Sequence, residues 1–241
     1  MKKPNSERFG TVPKISFLQL CLTLLFVVSL LVSNIITAKQ VQLPFGIVMT
    51  GAVFIFPITY ILSDLFSEVY GYKWSRRTAY LGFAANLFMV VIFSLIIISP
   101  SPSFWPHQEA FQTVLGNTPR ILFASLLAFM IGDLVNDRIF KKMKEKYPTT
   151  HKGFGFRAIL SSMAGELVDS MIFLPIAFIG LMPLQTLVIM VITQVFIKTA
   201  YEIIILPVTY KVVKIVSDHE KGISRLDTKT VFTYDNKQIK K

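Results

Sequence analysis

Six long apolar runs restrict the fold of this chain more than any other feature. They extend from Ser16 to Ile36, Pro44 to Phe66, Thr78 to Ser99, Arg120 to Phe140, Arg157 to Gly180 and Pro183 to Val213. Each is near or above the ~20 residues that a helix needs to cross a ~30 Å hydrocarbon layer. Lipid offers the backbone no hydrogen-bond partners, so a run of this kind satisfies its own amides and carbonyls as a helix. The expected fold class is therefore an all-α membrane protein, with six transmembrane helices in one bundle. The first run is longer than the apolar part of a signal peptide and is followed by no small-x-small cleavage site, so it reads as a retained helix.

Composition supports this class and removes others. Apolar residues make up 53% of the 241 and charged residues 16%, where soluble domains have about 45–50% and about 25%. With 21 Phe and this hydropathy the chain is not disordered. The single cysteine, Cys21, excludes a disulfide scaffold. Residues 1–15 read as an N-terminal tail, 16–216 as the membrane domain and 217–241 as a polar, poorly ordered C-terminal tail. The longest connection on the sparsely charged side, Pro100 to Pro119, reads as a partly ordered lid at the membrane interface, and no loop is long enough for a soluble catalytic domain.

Lys and Arg number 25 against 14 Asp and Glu, a formal charge of +11. All but Lys39, Arg120 and Lys198 fall in the N-terminal tail, the second connection, the fourth connection or the C-terminal region. The positive-inside rule then places both termini in the cytoplasm. The charge is thus mainly a topology signal. No basic stripe is interleaved with aromatics outside the membrane, so no nucleic acid is expected as a partner.

The informative residues are the ionisable ones within the runs. Asp64 and Glu68 are four apart, as are Asp133 and Asp137, and Lys198 and Glu202; Glu166 and Asp169 are three apart. On a helix each spacing puts both side chains on one face. A charge at the bilayer centre costs at least ~2.5–3.5 kcal/mol on insertion scales, so such groups face one another or a polar path. Glu166 and Asp169 lie roughly 14–18 Å past Arg157 at ~1.5 Å per residue, close to mid-membrane. Asp137 beside Arg138 reads as an interfacial pair, and Glu68 reads equally well as a surface partner of Lys73. Lys198 fits either a pair with Glu202 on its own helix or a tie across to Glu166 or Asp169. The pattern favours a polar cavity lined by Glu166, Asp169, Lys198 and Glu202, with Asp64 close by.

Phe56, Tyr60, Phe173 and Tyr201 lie near these charges, and Asn34 and Gln194 offer amides. Carboxylates accept hydrogen bonds from ring N–H groups and amines, and aromatic faces stack on flat heterocycles. The candidate substrate-binding residues are therefore Asp64, Glu166, Asp169, Lys198, Glu202, Asn34, Phe56, Tyr60 and Gln194, arranged for a planar, hydrogen-bond-rich, neutral or cationic ligand. No Walker A sequence is present, so the chain does not itself use ATP. No cysteine cluster or His-x-x-x-His indicates a transition-metal site, and no cofactor is expected. His107, His151 and His219 fall in connections or the tail, and no Ser-His-Asp set lies in the runs. Asp64 and Asp169 sit in no protease motif, so the chain is not expected to be an enzyme.

The stretch Phe56 to Lys73, containing Ser63-Asp64-Leu65 and Glu68-Val69-Tyr70-Gly71-Tyr72, resembles the signature of the queuosine-precursor transporters, the VUT family of vitamin-type uptake transporters. Gly165-Glu166-Leu167-Val168-Asp169-Ser170-Met171-Ile172-Phe173 is similar to that family's second signature. Ser33-Asn34-Ile35, and Lys198 followed by Pro207 and Tyr210, also fit. The resemblance covers Ser16 to Val216. It implies a multi-pass importer in the bacterial cytoplasmic (inner) membrane for deazaguanine bases: 7-cyano-7-deazaguanine, 7-aminomethyl-7-deazaguanine or queuine. One carboxylate, Glu166 or Asp169, would accept the paired N–H donors of such a base, with Asp64 and Lys198 next in line. The other reading is a substrate-binding subunit of an ATP-driven vitamin-type importer. Expected partners are the planar base and the lipid bilayer, and a homodimer is compatible with the chain.

Overall fold

The computed structural model describes residues 15–146 and 151–238. The basic N-terminal residues Lys2, Lys3, Arg8 and Lys14 lie outside the described residues, as do Lys240 and Lys241. Seven α-helices and a two-stranded hairpin account for nearly all of the described chain.

Helix α1 (Phe17–Ile36) starts at Ser16, whose hydroxyl accepts the backbone N–H of Gln19 at 3.0 Å. This is the capping bond that a serine at a helix start supplies. Beyond α1, β1 (Gln40–Gln42) pairs antiparallel with β2 (Val48–Thr50), with Gln40 opposite Thr50. Between them Pro44–Gly46 forms a short 3-10 turn that ends with Gly46 at φ 74°. A second 3-10 turn, Gly51–Phe54, leads into α2 (Phe56–Leu65). Gly51 is buried, and a Cβ there would sit 2.5 Å from the Ile36 carbonyl oxygen.

The second apolar run is therefore not one helix. Pro44 and Gly46 turn the chain, Gly51 lets it pass against the end of α1, and Pro57 falls in the first turn of α2, where its missing N–H costs nothing. Only 10 residues are α-helical before a π-helical turn, Phe66–Tyr70, extends the element to Gly71 at φ 83°. Hydropathy carried the expectation of an unbroken helix; backbone geometry overrides it.

Helix α3 (Tyr72–Ile98) follows, and the Pro100–Pro119 connection contains a short helix, α4 (Gln108–Leu115). The Gln108 side chain donates to the Ile97 carbonyl at 2.8 Å, and Trp105 meets His107 and Phe111 edge-on. Helices α5 (Thr118–Lys146), α6 (His151–Phe178) and α7 (Leu184–Gln238) complete the chain. Where a poorly ordered tail is expected after Val216, α7 continues to Gln238. Among the described residues four helical stretches are long and apolar enough to cross a membrane: Phe17–Ile36, Lys73–Ile98, Gln108–Asn136 and Leu184–Lys221. Large apolar side chains such as Phe17, Phe88, Ile98 and Ile204 are exposed along them, as a lipid-facing surface requires.

Helices α5 and α6 approach closely. A Cβ at Gly132 would sit 3.0 Å from the Gly165 carbonyl oxygen and 3.2 Å from the Asp169 Cβ. Ala124 and Ala128, two turns and one turn before Gly132, are fully buried. Small residues at this spacing let helix backbones pack where no hydrophobic effect drives them together. At the far end of α6 the Arg120 guanidinium donates to the carbonyls of Ile176 and Ile179, closing two of the helix's terminal acceptors.

Two apolar clusters close the bundle at opposite ends. At the hairpin end Ile121, Phe173, Leu174, Phe178, Leu187 and Met190 pack together, with Val48 against them. At the other end Phe26, Leu62, Leu65, Phe66 and Val216 do so, and the Phe26 ring meets Phe66 edge-on at 5.7 Å. Beside that second cluster the Glu220 carboxylate accepts from the Ser16 and Tyr70 hydroxyls, the latter at 2.9 Å. Along α7, Gln194, Lys198 and Glu202 fall between the two clusters.

Candidate substrate-binding site

The charged residues of α6 and α7 meet in this middle layer. Lys198 Nζ donates to Asp169 Oδ2 at 2.9 Å. The lysine side chain is only 8% exposed and the aspartate 28%. Of the two arrangements open to Lys198, the structure contains the cross-helix tie, and to Asp169. The Thr199 hydroxyl donates to Glu166 Oε2 at 3.3 Å. Two successive residues of α7 thus hold the two acidic residues of α6, which the 3-residue spacing puts on one face.

Helix α2 supplies the aromatic wall. The Phe56 ring lies under the Lys198 ammonium, with Nζ 5.0 Å from its centroid. Phe56 and Tyr60, one turn apart, stack at 6.2 Å with 27° between their planes. Tyr60 lies close enough to Glu166 for the two side chains to interact. A break in the chain just before α2 therefore places an aromatic pair directly against the ion pair. Within a membrane such irregular backbone is tolerated where protein or a polar path satisfies it.

The remaining expected site residues divide. Glu202 is close enough to Tyr60, Asp64 and Glu166 for its charge to act on all three, so Glu202 and Asp64 extend the layer away from the hairpin. Gln194 lies one turn before Lys198 on the hairpin side. It is buried, and its carboxamide oxygen has no hydrogen-bond partner among the described residues. The same holds for the buried Ser170 hydroxyl, next to Asp169. Asn34 has a partner of its own: it donates to Asn86, which in turn donates to the Gly82 carbonyl at 2.9 Å. This buried amide pair ties α1 to α3. Asp133 pairs with Arg76 of α3 at 2.8 Å, and the side chain of Asp137 lies outside the described residues.

Sequence reading missed Thr199 and the α5–α6 glycine contact. Thr199 carries no signal beyond its place next to Lys198. The run Ala124, Ala128, Gly132 at intervals of four was a usable one.

A family model described as "Putative vitamin uptake transporter" matches residues 50–212. The chain belongs to this family. The vitamin uptake transporter match opens at the end of β2 and takes in every candidate site residue except Asn34. A curated relative from Bacillus subtilis (strain 168), named "Probable queuosine precursor transporter", is 26% identical over 190 residues, covering 79% of this chain and 82% of that protein. No solved structure matches. Family membership and the four apolar helical stretches make this a multi-pass membrane transporter.

Proposed function

We propose that the chain imports a planar deazaguanine-type base, a precursor of the tRNA nucleoside queuosine, across the bacterial inner membrane. The observation that carries this reading is the Asp169 carboxylate, with Glu166 beside it, set against the stacked Phe56–Tyr60 pair. A guanine-like edge presents a ring N–H and an exocyclic amine side by side. One carboxylate accepts both, as it accepts the two donors of an arginine fork. An aromatic face beneath holds the ring plane. The printed name of the Bacillus subtilis relative supports the same ligand class.

The topology that goes with this reading has six crossings and both termini in the cytoplasm. The 3-10 turn Gly51–Phe54, α2 and the π-helical turn together form the second crossing. The hairpin end, with its sparse charge, faces outward, and the end carrying Lys73, Arg76 and Arg77 faces the cytoplasm.

The test is uptake-dependent tRNA modification. The chain is expressed in a bacterium lacking queuosine synthesis and its own importer, and a deazaguanine base is supplied at limiting concentration. Queuosine-containing tRNA is read as a shift on a boronate gel. The expected result is a shift that Asp169→Asn or Glu166→Gln abolishes at equal membrane expression. A shift only when an ATPase module is co-expressed would identify a subunit of an ATP-driven importer instead. No shift with any deazaguanine base would sink the reading.

A further inference from the structure

The Lys198 ammonium occupies the spot that the proposed base requires. Its hydrogen bond goes to Asp169 Oδ2 at 2.9 Å, and its π contact is with the Phe56 face at 5.0 Å. A flat base with paired N–H donors needs those same two neighbours, a carboxylate to accept its edge and an aromatic face beneath its ring. A base stacked on that face of Phe56 and bonded to Asp169 needs the space that the ammonium fills, so the two compete for one place.

Lysine suits a group that must leave. Its charge is compact, it sits on a flexible four-carbon stem, and it binds a carboxylate as a point charge rather than as a rigid fork. A destination exists on the same helix: Glu202 is four residues on, on the same face as Lys198, with its charge already acting on Glu166 and Asp64. The buried carboxamide oxygen of Gln194, without a partner among the described residues, lies one turn to the other side.

We infer that Lys198 is an internal placeholder for the substrate: its ammonium holds Asp169 and covers Phe56 in the empty protein, and a base with paired N–H donors displaces it from both. The inference rests on the proposed function, since it concerns the same site. It adds that the empty carrier keeps its mid-membrane carboxylate neutralised by a residue of its own. A ligand competing with an internal group binds with an affinity reduced by the fraction of protein in which the site is open.

The experiment measures binding of 7-aminomethyl-7-deazaguanine to the purified full chain in lipid nanodiscs by calorimetry. Removing the competitor with Lys198→Met or Lys198→Gln is expected to lower Kd about tenfold if the pair is closed in about nine molecules of ten. Lys198→Arg, whose planar fork grips a carboxylate more firmly, is expected to raise Kd by about fivefold or more. Asp169→Asn is expected to abolish binding. Should Lys198→Met and Lys198→Gln fold poorly, the arginine variant alone decides, because an unchanged or lower Kd there overturns the inference. Weaker binding in Lys198→Met or Lys198→Gln, at wild-type thermal stability, overturns it too, making the lysine a direct ligand. A wild-type protein that binds no deazaguanine base refutes the functional reading itself, which separates the two failures.

Discussion

Gly132→Ala tests whether the α5–α6 contact sets the position of Asp169. In a helix interior this exchange ordinarily stabilises by about 0.5–1 kcal/mol, because alanine loses less backbone entropy. Here the new methyl would sit 3.0 Å from the Gly165 carbonyl oxygen and 3.2 Å from the Asp169 Cβ. The nearer neighbour is helix backbone, which cannot rotate away, so α5 and α6 must separate by a few tenths of an ångström. Overpacking of this kind costs about 1–3 kcal/mol, and against the propensity gain the net expectation is a loss of roughly 0–2.5 kcal/mol. The separation also moves Asp169 relative to Lys198, whose 2.9 Å bond is what that movement disturbs. Gly82→Ala is the control. Its new methyl would meet the Leu30 Cδ1 at 2.4 Å, but that atom is the free end of a side chain and can turn aside. The assay is thermal unfolding in detergent together with uptake at equal expression. Gly132→Ala should melt lower than Gly82→Ala and lose uptake out of proportion to its stability. A Gly132→Ala protein that melts at or above the wild type and transports fully would refute the reasoning.

Three further outcomes follow from the contacts. Asn34→Ala leaves the buried Asn86 carboxamide oxygen without its donor, at a cost of about 1–3 kcal/mol; thermal unfolding should detect it, while the Kd for a deazaguanine base stays at the wild-type value, since the Asn34 amide is already taken up by Asn86. Tyr70→Phe removes the 2.9 Å bond to Glu220; the group is partly exposed, so about 1 kcal/mol is expected, read as a lower melting temperature that Glu220→Gln, which keeps an acceptor, reproduces only in part. Arg120→Met frees the Ile176 and Ile179 carbonyls at the end of α6, and hydrogen exchange of the last turn of α6 should accelerate without a change in base affinity.

How much of the molecule its sequence revealed depends on whether a property belongs to one segment or to two. Apolar runs report their surroundings, so α1, α3, α5 and most of α7 were legible as helices with lipid-facing sides. The spacing of Glu166 and Asp169, and of Lys198 and Glu202, fixed which side chains share a helix face. It did not fix which helix each face meets, so Lys198 kept several candidate partners until α6 and α7 were seen together. Asn34 illustrates the same limit from the other side. An amide in an apolar run looks alike whether it awaits a ligand or already holds Asn86. The second run failed for a different reason. Averaged hydropathy cannot register that Pro44, Gly46 and Gly51 each alter a few backbone angles, yet those angles end the helix and bring Phe56 and Tyr60 to the ion pair. A continuous helix there would have satisfied lipid equally well. The polar residues after Val216 read as a poorly ordered tail, but a charged stretch is compatible with either a solvated helix or a coil, and α7 takes the helix. The segment that sequence reading described least well is thus the one that builds the aromatic wall of the site. This follows if irregular backbone is tolerated in a membrane only where protein or a polar path satisfies it.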